Sequence, residues 1–110
     1  MTVQNAETDA ELVTVELVTQ LDANGSGRVV FKSERGDFQI MSVSVKATPS
    51  DRESIATVCG DGISDATYQG STGDVSDTRY YLAENDSIVI QWEQGNPHAT
   101  ALAIITGNPA

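Results

Sequence analysis

From Ser87 to Glu93, the apolar side chains Ile88, Ile90 and Trp92 alternate with Ser87, Val89, Gln91 and Glu93. That period of two fits an extended strand with one face in a core and does not fit a helix. Gly95-Asn96-Pro97-His98 then supplies turn chemistry, and a second apolar run, Ala99 to Thr106, ends at the breakers Gly107-Asn108-Pro109. The two runs are expected to form a terminal β-hairpin.

The same period recurs upstream. Glu11–Gln20 places Val13, Val15 and Leu17 opposite Thr14 and Glu16, and a glycine-rich link through Gly25 and Gly27 leads to Arg28–Lys32; the pair suggests another hairpin. Phe38–Ala47 is the longest run. Phe38 and Ile40 share one parity while Met41, Val43, Val45 and Ala47 share the other, so a β-bulge is expected near residues 40 and 41. Ser54–Cys59 reads as a shorter strand, Gly60-Asp61-Gly62 as a turn, Asp65–Gln69 as a weak strand, Gly70–Thr78 as the longest loop, and Arg79–Ala83 as a strand. About eight short strands with no helical period indicate an all-β chain. The expected fold is a single antiparallel β-sandwich, jelly-roll-like, with a flattened barrel as its competitor.

The chain has 110 residues, enough for one domain with a modest core. Residues 1–11 are polar and acidic without periodicity and are expected to be a flexible N-terminal arm; residues 12–110 form the sandwich. Sixteen acidic against six basic residues give a formal charge of −10. Such a surface repels phosphate backbones and anionic lipid, and Arg28, Lys32, Arg35, Lys46, Arg52 and Arg79 are scattered singly, so neither nucleic acid nor membrane is an expected partner. The start carries no hydrophobic leader pattern, so synthesis in the cytoplasm with no export signal is expected. Cys59 stands alone, excludes an intrachain disulfide, and is expected as a small buried hydrophobe.

Candidate chemistry is sparse. Asp22-Ala23-Asn24-Gly25-Ser26-Gly27 has the oxygen spacing of the first half of a calcium loop, but Ser33 stands where a bidentate carboxylate is needed. Asp61, Asp65, Asp74 and Asp77 would form an acidic cluster only if their loops converged at one end of the sandwich. His98, the single histidine, has no nucleophile singled out beside it. No catalytic, cofactor-binding or metal-binding residue is therefore assigned, and the chain is not expected to be an enzyme. Trp92 shares parity with Ile88 and Ile90 and is expected as a core anchor; exposure of Trp92, Tyr68, Tyr80 or Tyr81 would instead favour sugar binding.

The order of pieces resembles small virion structural proteins of tailed bacteriophages, especially those infecting actinobacteria. The resembling parts are the acidic start, Gly25-Ser26-Gly27 leading into Arg28-Val29-Val30-Phe31, the stretch Phe38–Val45, and above all Leu82-Ala83-Glu84-Asn85-Asp86-Ser87-Ile88-Val89-Ile90-Gln91-Trp92 followed by Gly95–Ala101. Ala83-Glu84-Asn85 replaces the Pro-Gly usual at that corner. The resemblance implies a capsid decoration protein on the virion surface, with the major capsid protein as partner and self-association into a homo-oligomer, first of all a trimer. A tail or baseplate component and a receptor- or carbohydrate-binding module are the alternatives.

Overall fold

A computed structural model of the chain describes residues 12–60, 63–70, 72–75 and 79–109, with the backbone alone at 63–65. Among these residues the regular elements are nine strands: β1 Val13–Gln20, β2 Gly27–Lys32, β3 Phe38–Thr48, β4 Ile55–Gly60, β5 Ile63–Gln69, β6 Thr72–Val75, β7 Tyr80–Leu82, β8 Ser87–Glu93 and β9 Thr100–Pro109. They form two antiparallel sheets. The first, sheet A, runs β1-β9-β3-β6, with β7 also paired to β3; the second, sheet B, runs β2-β8-β4-β5. Strand pairs β1·β9, β2·β8, β3·β6 and β4·β5 are those of a long antiparallel ribbon rolled up on itself, and β3·β9 and β4·β8 contacts complete each sheet. This is the jelly-roll winding, so the expected all-β sandwich is the observed fold.

Two expectations about connection are corrected. β8 and β9 do not form a hairpin, and neither do β1 and β2: in both cases one strand belongs to each sheet. Alternation tells which side chains face inward and is the same for a hairpin and for a link that arches between sheets. The linkers decide the matter, since residues 21–26 and 94–99 are long enough to cross the ~10 Å between packed sheets, whereas hairpin loops are usually two to five residues. The expected loop Gly70–Thr78 also contains a strand, β6, whose Val75 is buried beside Val43 of β3.

The anticipated bulge is present. Ile40 pairs with Gly107 and Ser42 with Thr106, leaving Met41 as the extra residue, 37% exposed. Phe38 and Ile40 before it and Val43, Val45 and Ala47 after it are thereby all buried. Gly107 lies at this irregularity for a steric reason: a Cβ there would approach the Gln39 carbonyl oxygen to 2.2 Å and the Phe38 ring to 2.7 Å.

Trp92 is fully buried, as its parity implied. Its neighbours within sheet B are Gly27 on β2 and Ala56 on β4, and the same core cluster takes only alanine at positions 99, 101 and 103. Small residues on the two flanking strands leave room for the large ring. Each large side chain in this cluster contributes about 1.5–3 kcal/mol through removal of apolar surface from water.

Candidate functional site

The loop joining β2 to β3 builds a concavity, a groove of about 290 Å³ at one end of the sandwich. Its floor is apolar, made by Val15 of β1, Phe31 of β2, Phe38 of β3 and Pro109 of β9. The two phenylalanine rings lie 5.2 Å apart at 58°, the tilted contact that aromatic quadrupoles favour. Lys32, Glu34, Arg35 and Asp37 supply a charged rim of both signs.

The rim is tied down at several points. Buried Ser33 donates its hydroxyl to the Gly36 carbonyl, and Gly36 takes a φ of 103° that disfavours any side chain. The Ser33 amide donates to the Asp86 carbonyl at 2.9 Å, and the Asn85 amide donates back to the Ser33 carbonyl at 2.5 Å. Asp37 bridges outward: its Oδ2 accepts the Tyr81 phenol at 2.6 Å and its Oδ1 accepts the Glu84 amide at 3.0 Å. The hydrogen bond to Asp37, with burial and the nearby negative charge adding to it, pushes the Tyr81 phenol above its ordinary value. The β2–β3 loop and the corner before β8 thus form one braced surface.

This groove suits an apolar or aromatic side chain with a charge beside it. Among the described residues no three His, Cys, Asp or Glu side chains come together as a metal-binding group.

The opposite end carries the loop resembling half of a calcium site. Asp22 Oδ1 accepts the amides of Asn24 at 2.8 Å and Ser26 at 3.0 Å, closing the carboxylate onto its own loop. Those two donors, Ser26 foremost, hold the Asp22 carboxyl below its ordinary value. Gly25 and Gly95 meet backbone to backbone, the Gly95 amide donating to the Gly25 carbonyl at 3.0 Å. A Cβ on Gly25 would fall 2.0 Å from the Gly95 oxygen. His98 sits nearby at a φ of 62°, exposed, its amide donating to the Asp22 carbonyl at 3.1 Å. The arrangement reads as a locked connection between sheets.

Asp74 lies on the outer face of sheet A, where its Oδ1 accepts the Ser44 hydroxyl at 2.6 Å. Asp61, Asp77 and the Asp65 side chain lie outside the described residues, so convergence of that acidic group does too, as does the arm 1–11. Cys59 corrects its expectation: Ala56 and Val58 point inward, so Cys59 faces outward, half-buried, in a row with Val89 and Val30. Thr57 shares that outward parity. Of the aromatics, Tyr80 and Trp92 are buried, and half-buried Tyr68 packs over Gly73 with its hydroxyl donating to the Thr72 carbonyl at 2.8 Å; Tyr81 is 55% exposed.

Sequence reasoning passed over the outer face of sheet A. There Val18, Leu102 and Lys46 align in one cross-strand row, and Glu16, Ile104, Ser44 and Asp74 in the next. Each of these positions takes the outward parity of its strand, a signal available in the alternation but unreadable without the strand order. No helix is long and apolar enough to cross a membrane among the described residues. Neither a protein-family model nor a characterised protein matches the chain in sequence.

Proposed function

We propose that this chain is a non-enzymatic structural protein of a virion, a decoration protein that seats on the outside of the major capsid protein lattice and stabilises the head. The supporting observation is the outer face of sheet A. Val18, Leu102 and Ile104 make a contiguous aliphatic area on that face, framed by Glu16, Lys46 and short hydroxyl side chains. A partly apolar face with a polar frame is what one folded surface offers another. The braced groove around Phe31 and Phe38 adds a place for a projecting side chain of the capsid protein. Anything bound only to the assembled shell favours that shell by linkage, so many modest contacts suffice. Sequence resemblance to small bacteriophage head proteins points the same way.

The test is to add the purified chain to capsids lacking it and locate it by electron microscopy. Regular density on the capsid lattice, with particles surviving higher temperature than undecorated ones, is the expected result; density confined to tails, or none, overturns the proposal. A second reading, a receptor- or carbohydrate-binding module, draws on Tyr81, whose exposed ring stands beside Asp37. Glycan binding lost in Tyr81→Ala would favour it.

A further inference from the structure

We infer that Asn24 is a site of self-modification: its side-chain amide is lost to attack by the Gly25 backbone nitrogen, at a rate set by opening of the 21–26 arch. This inference stands apart from the virion reading and uses only the contacts of that arch. In the step, the Gly25 nitrogen bonds to the Asn24 side-chain carbonyl carbon and gives up its proton, and ammonia leaves with the electron pair of the broken carbon–nitrogen bond. Water then opens the cyclic imide at either carbonyl. The products are aspartate at position 24 and its isomer, in which the main chain runs through Cβ and Cγ.

The chain has five asparagines, and the residue that follows each one sorts them. Asn96 and Asn108 precede prolines, whose nitrogen has no proton to give up. Asn5 and Asn85 precede alanine and aspartate, whose Cβ crowds the attacking nitrogen. Gly25 offers an N–H with no Cβ beside it. Asn24 is exposed, so water reaches the imide.

The fold restrains this reactive pair. The Gly25 amide donates to the Asp22 carbonyl at 3.0 Å, closing a β-turn, and the Asn24 amide donates to Asp22 Oδ1 at 2.8 Å. The Gly25 carbonyl is held in turn by the Gly95 amide at 3.0 Å. Attack requires the Gly25 nitrogen to leave its acceptor and turn toward the Asn24 side chain, so the reaction passes through a locally opened arch. The isomer does not fit the closed arch. A Cβ on Gly25 would already fall 2.0 Å from the Gly95 oxygen, and the isomer adds a main-chain carbon immediately before that contact. Modification therefore marks a chain that has opened and keeps the two arches from locking again.

Peptide mapping by mass spectrometry on the full chain, incubated in mildly alkaline buffer with and without urea, tests this. In the unfolded chain Asn24 is expected to react ahead of the other asparagines, and in the folded chain roughly ten-fold or more slowly than in the unfolded one. Asp22→Ala removes the acceptor of the Asn24 and Ser26 amides and should speed the folded-state reaction roughly three- to thirty-fold. Asp22→Asn, which keeps an acceptor oxygen, should stay closer to wild type; urea unfolding checks that both variants fold. Isomer-containing chains, separated chromatographically, should unfold at lower urea than fresh Asn24→Asp, which carries the same charge on an unaltered main chain. Another asparagine reacting first in the unfolded chain, equal Asn24 rates folded and unfolded, or an isomer as stable as Asn24→Asp overturns the inference.

Discussion

At the scale of single residues, the loops are held by atoms whose job was hidden in the sequence. Asp22 and the glycines after it match the start of a cation loop, yet the carboxylate is engaged with the Asn24 and Ser26 amides. Both arrangements need an oxygen at the same position, so residue type alone does not separate them. The Asp22 carboxyl is held below the 3.8 of a free one, so the unfolded chain binds its proton more readily than the folded chain does. Its contribution is therefore complete at pH values above the unfolded value and is lost as pH falls through the lower folded one. Asp22→Asn keeps an acceptor oxygen for the turn but no longer titrates. We expect its urea midpoint to fall less steeply between about pH 5 and pH 2 than that of wild type, with Asp22→Ala equally shallow but weaker already at pH 7. Equal acid slopes in all three proteins would show that the carboxylate contributes nothing to the turn. Trp92 was fully legible, because its parity with Ile88 and Ile90 left it only one side of the strand. Cys59 was not, although Thr57, at the same parity, marks the outward side of its run.

At the scale of elements, strand positions were legible and strand partners were not. β1, β3 and β8 lie where the period of two put them, and β2 and β4 where short apolar runs between turn signals put them. Partnership is a non-local property, and the arches at 21–26 and 94–99 share their turn residues with ordinary hairpins. β6 escaped notice because its four residues include Gly73, which gives up its side chain to make room for Tyr68, and a single core anchor, Val75. The bulge in β3 was legible because a change of parity inside one continuous strand has no other resolution. Its energetic role can be tested by deleting Met41. Without the extra residue, either Phe38 and Ile40 or Val43, Val45 and Ala47 must turn toward solvent. Exposing even the first pair forfeits about 1.5–3 kcal/mol per side chain, a large share of the 5–15 kcal/mol that holds a typical domain together. The deletion is expected to lose cooperative unfolding, while Met41→Ser, which retains the bulge, should stay within about 1 kcal/mol of wild type because Met41 is substantially exposed. Chemical denaturation of the two variants gives the comparison, and a deletion variant as stable as wild type would mean that β3 can re-register freely.

At the scale of the whole molecule, two sheets enclose an apolar interior, and the chain carries a formal charge of −10. Folding brings those charges closer than they lie in an expanded chain, so self-repulsion works against the compact state. The effect is independent of any partner and should be readable as a salt dependence of melting. Between about 10 mM and 150 mM NaCl the screening length drops from about 30 Å to about 8 Å, well under the span of the domain. Melting temperature at pH 7 should therefore rise with salt, and a gain of about 1 kcal/mol corresponds to roughly 4–8 °C for a chain near this size. The measurement belongs at low protein concentration, so that self-association does not add a salt dependence of its own. Repeating the titration near the isoelectric point of about 4.1 provides the control. There the net charge vanishes, the mean repulsion with it, and the slope of melting temperature against salt should shrink toward zero even though the protein is less stable. Equal slopes at the two pH values would assign the salt effect to something other than net charge, such as preferential exclusion of ions from apolar surface.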